Sequence, residues 1–343
     1  MSVIGNTALS FDDEQAMLLD YARSFCADKG IPTARRHLET EHEHDESLWQ
    51  EIVAMGWVLM GTPLMSSLLT AQLLLRAGGE ASAKILESIA AGAMASVAQL
   101  ESESWYGGPG ETQLDANGRL QGRKRMVMDA MQARWIVVCL SHEGGPALAV
   151  VDSTTLAGDA RAPRQLMDLT HRAADLELRD VEPALLLSGE QVASALRDYE
   201  LLGALLVAAE SAGAAASALD TILEYLKTRK QFDKLIGSYQ ALKHPAVDML
   251  NDVDSSRSFV YHAATLVDDG SLGRDQEIAC RMAKAQATET LRFAGDRAVQ
   301  FHGGMGFTWE CDAQMFIRRA QWAQQQFGDA QYHRQQLASL LLG

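Results

Sequence analysis

Apolar and polar positions follow three successive regimes along the chain. From Phe11 to Lys29 the residues Phe11, Met17, Leu18, Tyr21, Ala22 and Phe25 recur at helical spacing. Asp12 and Asp13 stand at the start, where a helix dipole favours negative charge, and Gly30-Ile31-Pro32 reads as the end. A second helix is expected over about 45–54, stopping at Gly56. Two Ala/Leu-rich helices at about 65–76 and 82–91 are apolar enough to lie inside a bundle. Between about Val97 and Glu182 the period falls to two. Asp115-Ala116-Asn117-Gly118 signals a hairpin, 134–140 is a β-branched strand, Gly144-Gly145-Pro146 turns it into 147–151, and 173–181 alternates apolar and polar residues. From about Val192 the helical period returns, over 198–230, 239–267, 275–299, 311–325 and 330–342. Small residues between 208 and 216 permit close helix packing, and short turns between antiparallel helices predict a four-helix-type bundle.

The expected fold is therefore mainly α with an inserted β domain. A helical domain over 1–96 precedes a small antiparallel β-barrel or sandwich over 97–190, and a helical bundle over 191–343 follows. A length of 343 residues suits several subdomains around a sizeable core. The net charge of −15 provides no basic stripe for phosphates, which argues against a nucleic-acid partner. Cys26, Cys139, Cys280 and Cys311 are scattered without metal or disulfide spacing, so a reducing cytoplasm is expected. No basic-then-apolar leader is read at the N-terminus, and no apolar window of about 18 residues is read as a membrane span. The polar run Glu39–His44, with His37 before it, reads as a solvated loop and not as a metal site.

Two stretches carry candidate chemistry. In Gln300-Phe301-His302-Gly303-Gly304-Met305-Gly306-Phe307, three glycines lie just past a helix end, which by itself is a C-cap or a tight helix connection. Arg229-Lys230-Gln231-Phe232-Asp233-Lys234-Leu235-Ile236-Gly237-Ser238-Tyr239-Gln240-Ala241-Leu242-Lys243-His244 closes one helix and opens the next. Together they resemble the acyl-CoA dehydrogenase family, whose first motif runs Arg-x-x-Phe-Gly-x-x-(Ile/Leu)-x-x-x-Gln and whose second is Gln-x-x-Gly-Gly-x-Gly. Asp233 stands where the family has glycine. Gly122-Arg123-Lys124 and the stretch from Ala174 to Val181 also resemble the family's middle domain.

The resemblance implies a helical, β, helical fold, FAD at a subunit interface, and oxidation of the Cα–Cβ bond of an acyl-CoA thioester. It implies that Arg229 contacts the FAD pyrophosphate, a suitable partner for a guanidinium fork. It implies further that Gln231, Phe232 and Gln240 lie against the cofactor, with Gln300, Gly303 and Gly304 near its adenosine end. An electron-transfer flavoprotein or a similar acceptor would receive the electrons.

The departures from the family are equally specific. The usual catalytic glutamate aligns with Phe327, and the alternative glutamate on the preceding long helix aligns with about Gly203. Glu200, Glu210, Asp329 and Glu101 remain as candidates for a displaced base. The family's Pro-Glu-x-x-Gly-Gly-x-Gly loop is missing after Gly56-Trp57, where Met60-Gly61-Thr62-Pro63 runs on directly, and the N-terminal region is shorter by roughly one helix. The flavin-facing turn reads Gln99-Leu100-Glu101-Ser102-Glu103-Ser104, and the next strand Met126-Val127-Met128-Asp129. Degraded residues for the chain's own flavin beside intact residues for a neighbour's resemble the chain without a catalytic glutamate in α₂β₂ members, notably those acting on steroid-derived thioesters. A self-sufficient homotetramer with a displaced base and a flavin-free assembly protein are the alternatives.

Overall fold

The computed structural model describes residues 13–39, 46–54, 64–102, 110–267 and 270–343. The expected polar loop Glu39–His44 beyond Glu39, Gly56-Trp57 and the Met60–Pro63 run lie outside these residues. The N-terminal helices are α1 (Asp13–Glu39), α2 (Glu46–Ala54), α3 (Leu64–Gly78) and α4 (Ala83–Ala90). In place of the expected end at Gly30-Ile31-Pro32, α1 runs through to Glu39. A proline removes one N–H from the helical ladder, and neighbouring contacts can hold the remainder. Lys29 Nζ reaches Glu51 Oε1 of α2 at 3.1 Å, and Arg35 Nη2 reaches Asp312 Oδ1 at 2.6 Å, so α1 is tied on both sides of the break.

The middle domain holds β1 (Ala95–Ala98), β2 (Gln113–Leu114), β3 (Leu120–Met128), β4 (Trp135–His142), β5 (Gly145–Asp152), β6 (Arg161–Arg164), β7 (Ala173–Val181) and β8 (Leu185–Ser188). Two four-stranded sheets run in the orders β1-β4-β5-β8 and β2-β3-β7-β6. Their pairings are antiparallel except that β1 lies parallel to β4. Buried Leu120, Val127, Ile136, Val138, Leu140 and Leu176 share one core cluster in this domain. The predicted hairpin joins β2 to β3, with Asp115 N donating to Arg119 O at 2.8 Å and Gly118 at φ 76°.

The C-terminal bundle contains α5 (Glu190–Thr228), α6 (Gln240–Leu266), α7 (Arg274–His302), α8 (Ala313–Gln325) and α9 (Ala330–Leu342). A short hairpin, β9 (Lys230–Gln231) with β10 (Lys234–Leu235), links α5 to α6. By length and composition α5 does contain a window apolar enough to cross a membrane, contrary to the sequence expectation. More than half of that window is buried in the chain, with Ala204, Val207, Ala208 and Ala215 all 0% exposed, as in a core helix. A Cβ at Gly295 of α7 would stand 2.9 Å from the Ile317 backbone of α8, so this crossing depends on glycine.

Candidate functional site

The two motifs meet at one end of the bundle and face outward. Tyr225, in the last turn of α5, stacks on His302, the last residue of α7, with ring centroids 4.3 Å apart. Arg229 therefore leaves α5 close to where Gly303 leaves α7. Arg229, Gln231, Phe232, Gln240, Gln300, Gly303 and Gly304 are all exposed, and none lines the large cavity described below. The Arg229 guanidinium makes no side-chain hydrogen bond or ion pair among the described residues.

Phe232 and Asp233 take φ values of 52° and 59° in the tight turn between β9 and β10. Paired positive φ angles explain why this turn suits glycine, and aspartate is among the residues that tolerate the left-handed region. Phenylalanine is not, yet Phe232 is 86% exposed, so a strained backbone holds this aromatic ring out toward solvent. In the second motif, a Cβ at Gly306 would lie 2.3 Å from Val299 O, so the fold itself needs that glycine. Gly303 has φ 62°. A Cβ at Gly303 or Gly304 would meet no atom of this chain within 4 Å. A free guanidinium and two side-chain-free exposed positions fit a phosphate-bearing ligand held from outside the chain.

The two positions where a base is expected come together inside the molecule. A Cβ at Gly203 of α5 would lie 2.3 Å from Phe327 Cε1, so the Phe327 ring lies flush against the glycine. Phe327 is 6% exposed, and its ring meets Tyr199 edge-on at 5.5 Å. Both positions are thus filled by one apolar contact. Phe327 and Tyr199 form part of the wall of a cavity of about 320 Å³ between the N-terminal helices, the β domain and the bundle. Trp49, Met65, Met126, Met128, Asp129 and Trp322 also line it.

The displaced-base candidates separate cleanly. Glu101 accepts from Gly110 N (2.8 Å), Glu111 N (2.6 Å), Thr112 N (3.1 Å) and Lys124 Nζ (2.6 Å). Burial pushes its carboxyl up, but these bonds outweigh burial and hold it down at about 2. Asp329 caps α9, accepting from Tyr332 N at 2.7 Å. Glu200 accepts from Tyr332 Oη at 2.8 Å and lies 3.7 Å from Arg281 Nη1. None of these three lines the cavity, whereas Glu210 does. Its Oε1 is ion-paired with Arg319 Nη1, and burial raises its carboxyl above the usual range against the pull of Arg319. Asp129 is a cavity carboxyl not singled out from sequence. Burial pushes it up to about 6, although Ser66 Oγ donates to it at 2.5 Å.

The turn that carries Phe327 is pinned from beneath. Lys284 of α7, fully buried, donates to Ala323 O at 3.1 Å and Gly328 O at 2.8 Å. His333 Nε2 lies 2.8 Å from Phe327 O, and since a carbonyl only accepts, Nε2 carries the hydrogen. Burial pulls Lys284 down to about 7 and His333 down to about 3. Among the described residues, no group of three or more His, Cys, Asp or Glu side chains is placed to hold a metal ion.

A helical, β, helical chain with a cavity at the meeting of its three bodies defines an acyl-CoA dehydrogenase fold. The structure of a glutaryl-coenzyme A dehydrogenase with glutaryl-CoA superposes with a TM-score of 0.86 at 20% identity, covering 97% of this chain and 96% of that one. The ChsE4-ChsE5 complex from Mycobacterium tuberculosis superposes with a TM-score of 0.76 at 21% identity, over 90% of this chain and 91% of that one. In sequence, the family models for the acyl-CoA dehydrogenase N-terminal and C-terminal domains match residues 12–67 and 201–342, together more than half of the chain. This chain belongs to the acyl-CoA dehydrogenase family. Acyl-CoA dehydrogenase IpdE2 of Mycolicibacterium smegmatis is 36% identical over 166 residues, 48% of each chain. This chain thus matches about half the length of that relative.

Proposed function

We propose that this chain is a subunit of a heteromeric, FAD-dependent acyl-CoA dehydrogenase that introduces a Cα–Cβ double bond into an acyl-CoA thioester. In this reading it contributes FAD contacts, and a second dehydrogenase-like chain supplies the catalytic glutamate. The observation that carries the proposal is the packing of Phe327 on Gly203, which leaves neither base position able to take a proton. Removing an α-proton needs a base in reach, worth roughly 10²–10⁴ in rate. When bound, FAD supplies the hydride acceptor for the β-hydrogen.

Arg229 would hold the FAD pyrophosphate, with Gln231, Phe232 and Gln240 beside it and Gln300, Gly303 and Gly304 against the adenosine end. Their outward placement, away from the chain's own cavity, supports donation to a neighbour's cofactor. An α₂β₂ assembly is the arrangement this reading favours, and the two-chain name of the ChsE4-ChsE5 complex accords with it. A steroid-derived acyl group and an electron-transfer flavoprotein or similar acceptor complete the proposal. Free thiols at Cys26, Cys139, Cys280 and Cys311 suit a reducing compartment, so we assign the cytoplasm. The chain purified alone, supplied with FAD, acyl-CoA and an electron acceptor, is expected to show no turnover above background. Stoichiometric FAD with dehydrogenase turnover in the isolated chain would overturn the assignment.

A further inference from the structure

The three bodies of the chain meet in one charged array along the cavity. Arg319 of α8 is ion-paired with Glu210 of α5. It also donates to Asp168 Oδ2 at 2.5 Å and Thr170 Oγ1 at 2.6 Å, both in the loop ahead of β7. Arg172 closes that loop, its guanidinium bonded to the Leu169 and His171 carbonyls, and its charge attracts Asp129 and Asp168. Asp129, at the end of β3, accepts from Ser66 Oγ of α3 at 2.5 Å. The array thus ties an N-terminal helix, the β domain and the bundle together. Asp129, Thr170, Glu210 and Arg319 all line the cavity.

The charges of this array do not balance. Asp129, Asp168 and Glu210 supply three carboxyls, against the two guanidiniums of Arg172 and Arg319. His171, stacked on Trp322, lies 4.0 Å from Asp168 Oδ2 and adds a charge only when protonated. Lys29 and Arg125 are the other cations of the cavity wall, and each lies against a carboxylate outside the array, Glu51 at 3.1 Å and Asp175 at 3.5 Å. Burial pushes Asp168 up, but Arg319 outweighs it and this carboxyl stays ionised. The deficit therefore falls on Asp129 and Glu210. Glu210 Oε2 is buried with no donor among the described residues, and burial raises both carboxyls, that of Asp129 to about 6. A buried carboxylate short of a counter-charge takes up a proton.

We propose that this array is a proton-operated latch between the three bodies of the chain. With one proton on Asp129 or Glu210 it is balanced, and the 168–172 loop lies closed on α8. Loss of that proton leaves one buried negative charge, which draws water into this end of the cavity and frees the loop. The latch needs neither flavin nor a partner chain, so its test is separate from the fate of the FAD assignment. Hydrogen exchange of the full-length chain from about pH 5 to about pH 8 reads the loop through Thr170 and His171, whose amides donate to Asp168. A carboxyl raised in the folded state stabilises below its pKa and ceases to do so above it. Protection of these amides, corrected for the pH dependence of chemical exchange, is therefore expected to fall about ten-fold as the pH rises through 6 and beyond, with β4 and β5 unaffected. Asp129→Asn and Glu210→Gln each leave two carboxylates against two guanidiniums, so either variant should keep the loop protected over the whole range. Constant protection in the unaltered chain, or an undiminished pH response in either folded variant, would overturn the proposal.

Discussion

Phe327→Ala is expected to cost about 3–5 kcal/mol of stability, and then to render Gly203→Ala nearly silent. The phenyl ring is 6% exposed and lies against a glycine with no space for a methyl group. Alone, Gly203→Ala would drive its Cβ to 2.3 Å from the ring, and overpacking of this kind costs about 1–3 kcal/mol. The ring has little freedom to retreat, since His333 holds the Phe327 carbonyl and Lys284 holds those of Ala323 and Gly328. Once the ring is gone, the added methyl enters empty space. Denaturant unfolding of the two single variants and the double variant should therefore give a coupling of at least about 1 kcal/mol, well outside additivity. Additive losses would mean that the two positions do not share one space.

Arg229→Ala is expected to remove most of the FAD from the complex while leaving the fold of this chain intact. The guanidinium has no side-chain partner among the described residues, so the free chain loses no ion pair with it. A charged hydrogen bond to phosphate is worth about 1.5–3 kcal/mol, or roughly ten- to a hundred-fold in affinity. Arg229→Lys should fall between the two, because an ammonium keeps the charge and loses the fork. Flavin absorbance after gel filtration measures retention, and unchanged retention in Arg229→Ala would refute the role given to this residue.

The helical halves and the inserted β domain were legible because their signals are local. The 3.6-residue period, the Asp115–Gly118 turn and the β-branched strands each act over a few residues. The Gly203–Phe327 alignment was also legible as two missing glutamates, but their contact was not, since 124 positions separate them in the sequence. The cluster in which Arg319 of α8 pairs with Glu210 of α5 and donates to Asp168 Oδ2 and Thr170 Oγ1 ahead of β7 was hidden for the same reason. The continuation of α1 through Pro32 could not be read locally either, because contacts to Glu51 and Asp312 hold the helix on both sides. Asp129 lay in a strand end read only for what it lacked, and burial gives its carboxyl a raised pKa of about 6.

The flavin count of the purified complex tests the central claim most directly. If this chain completes its partner's cofactor site and holds no flavin of its own, the co-purified pair carries one FAD for every two chains. Absorbance of released flavin against protein concentration gives that ratio. One FAD per pair is the predicted result, and two per pair, one in each chain, would contradict it.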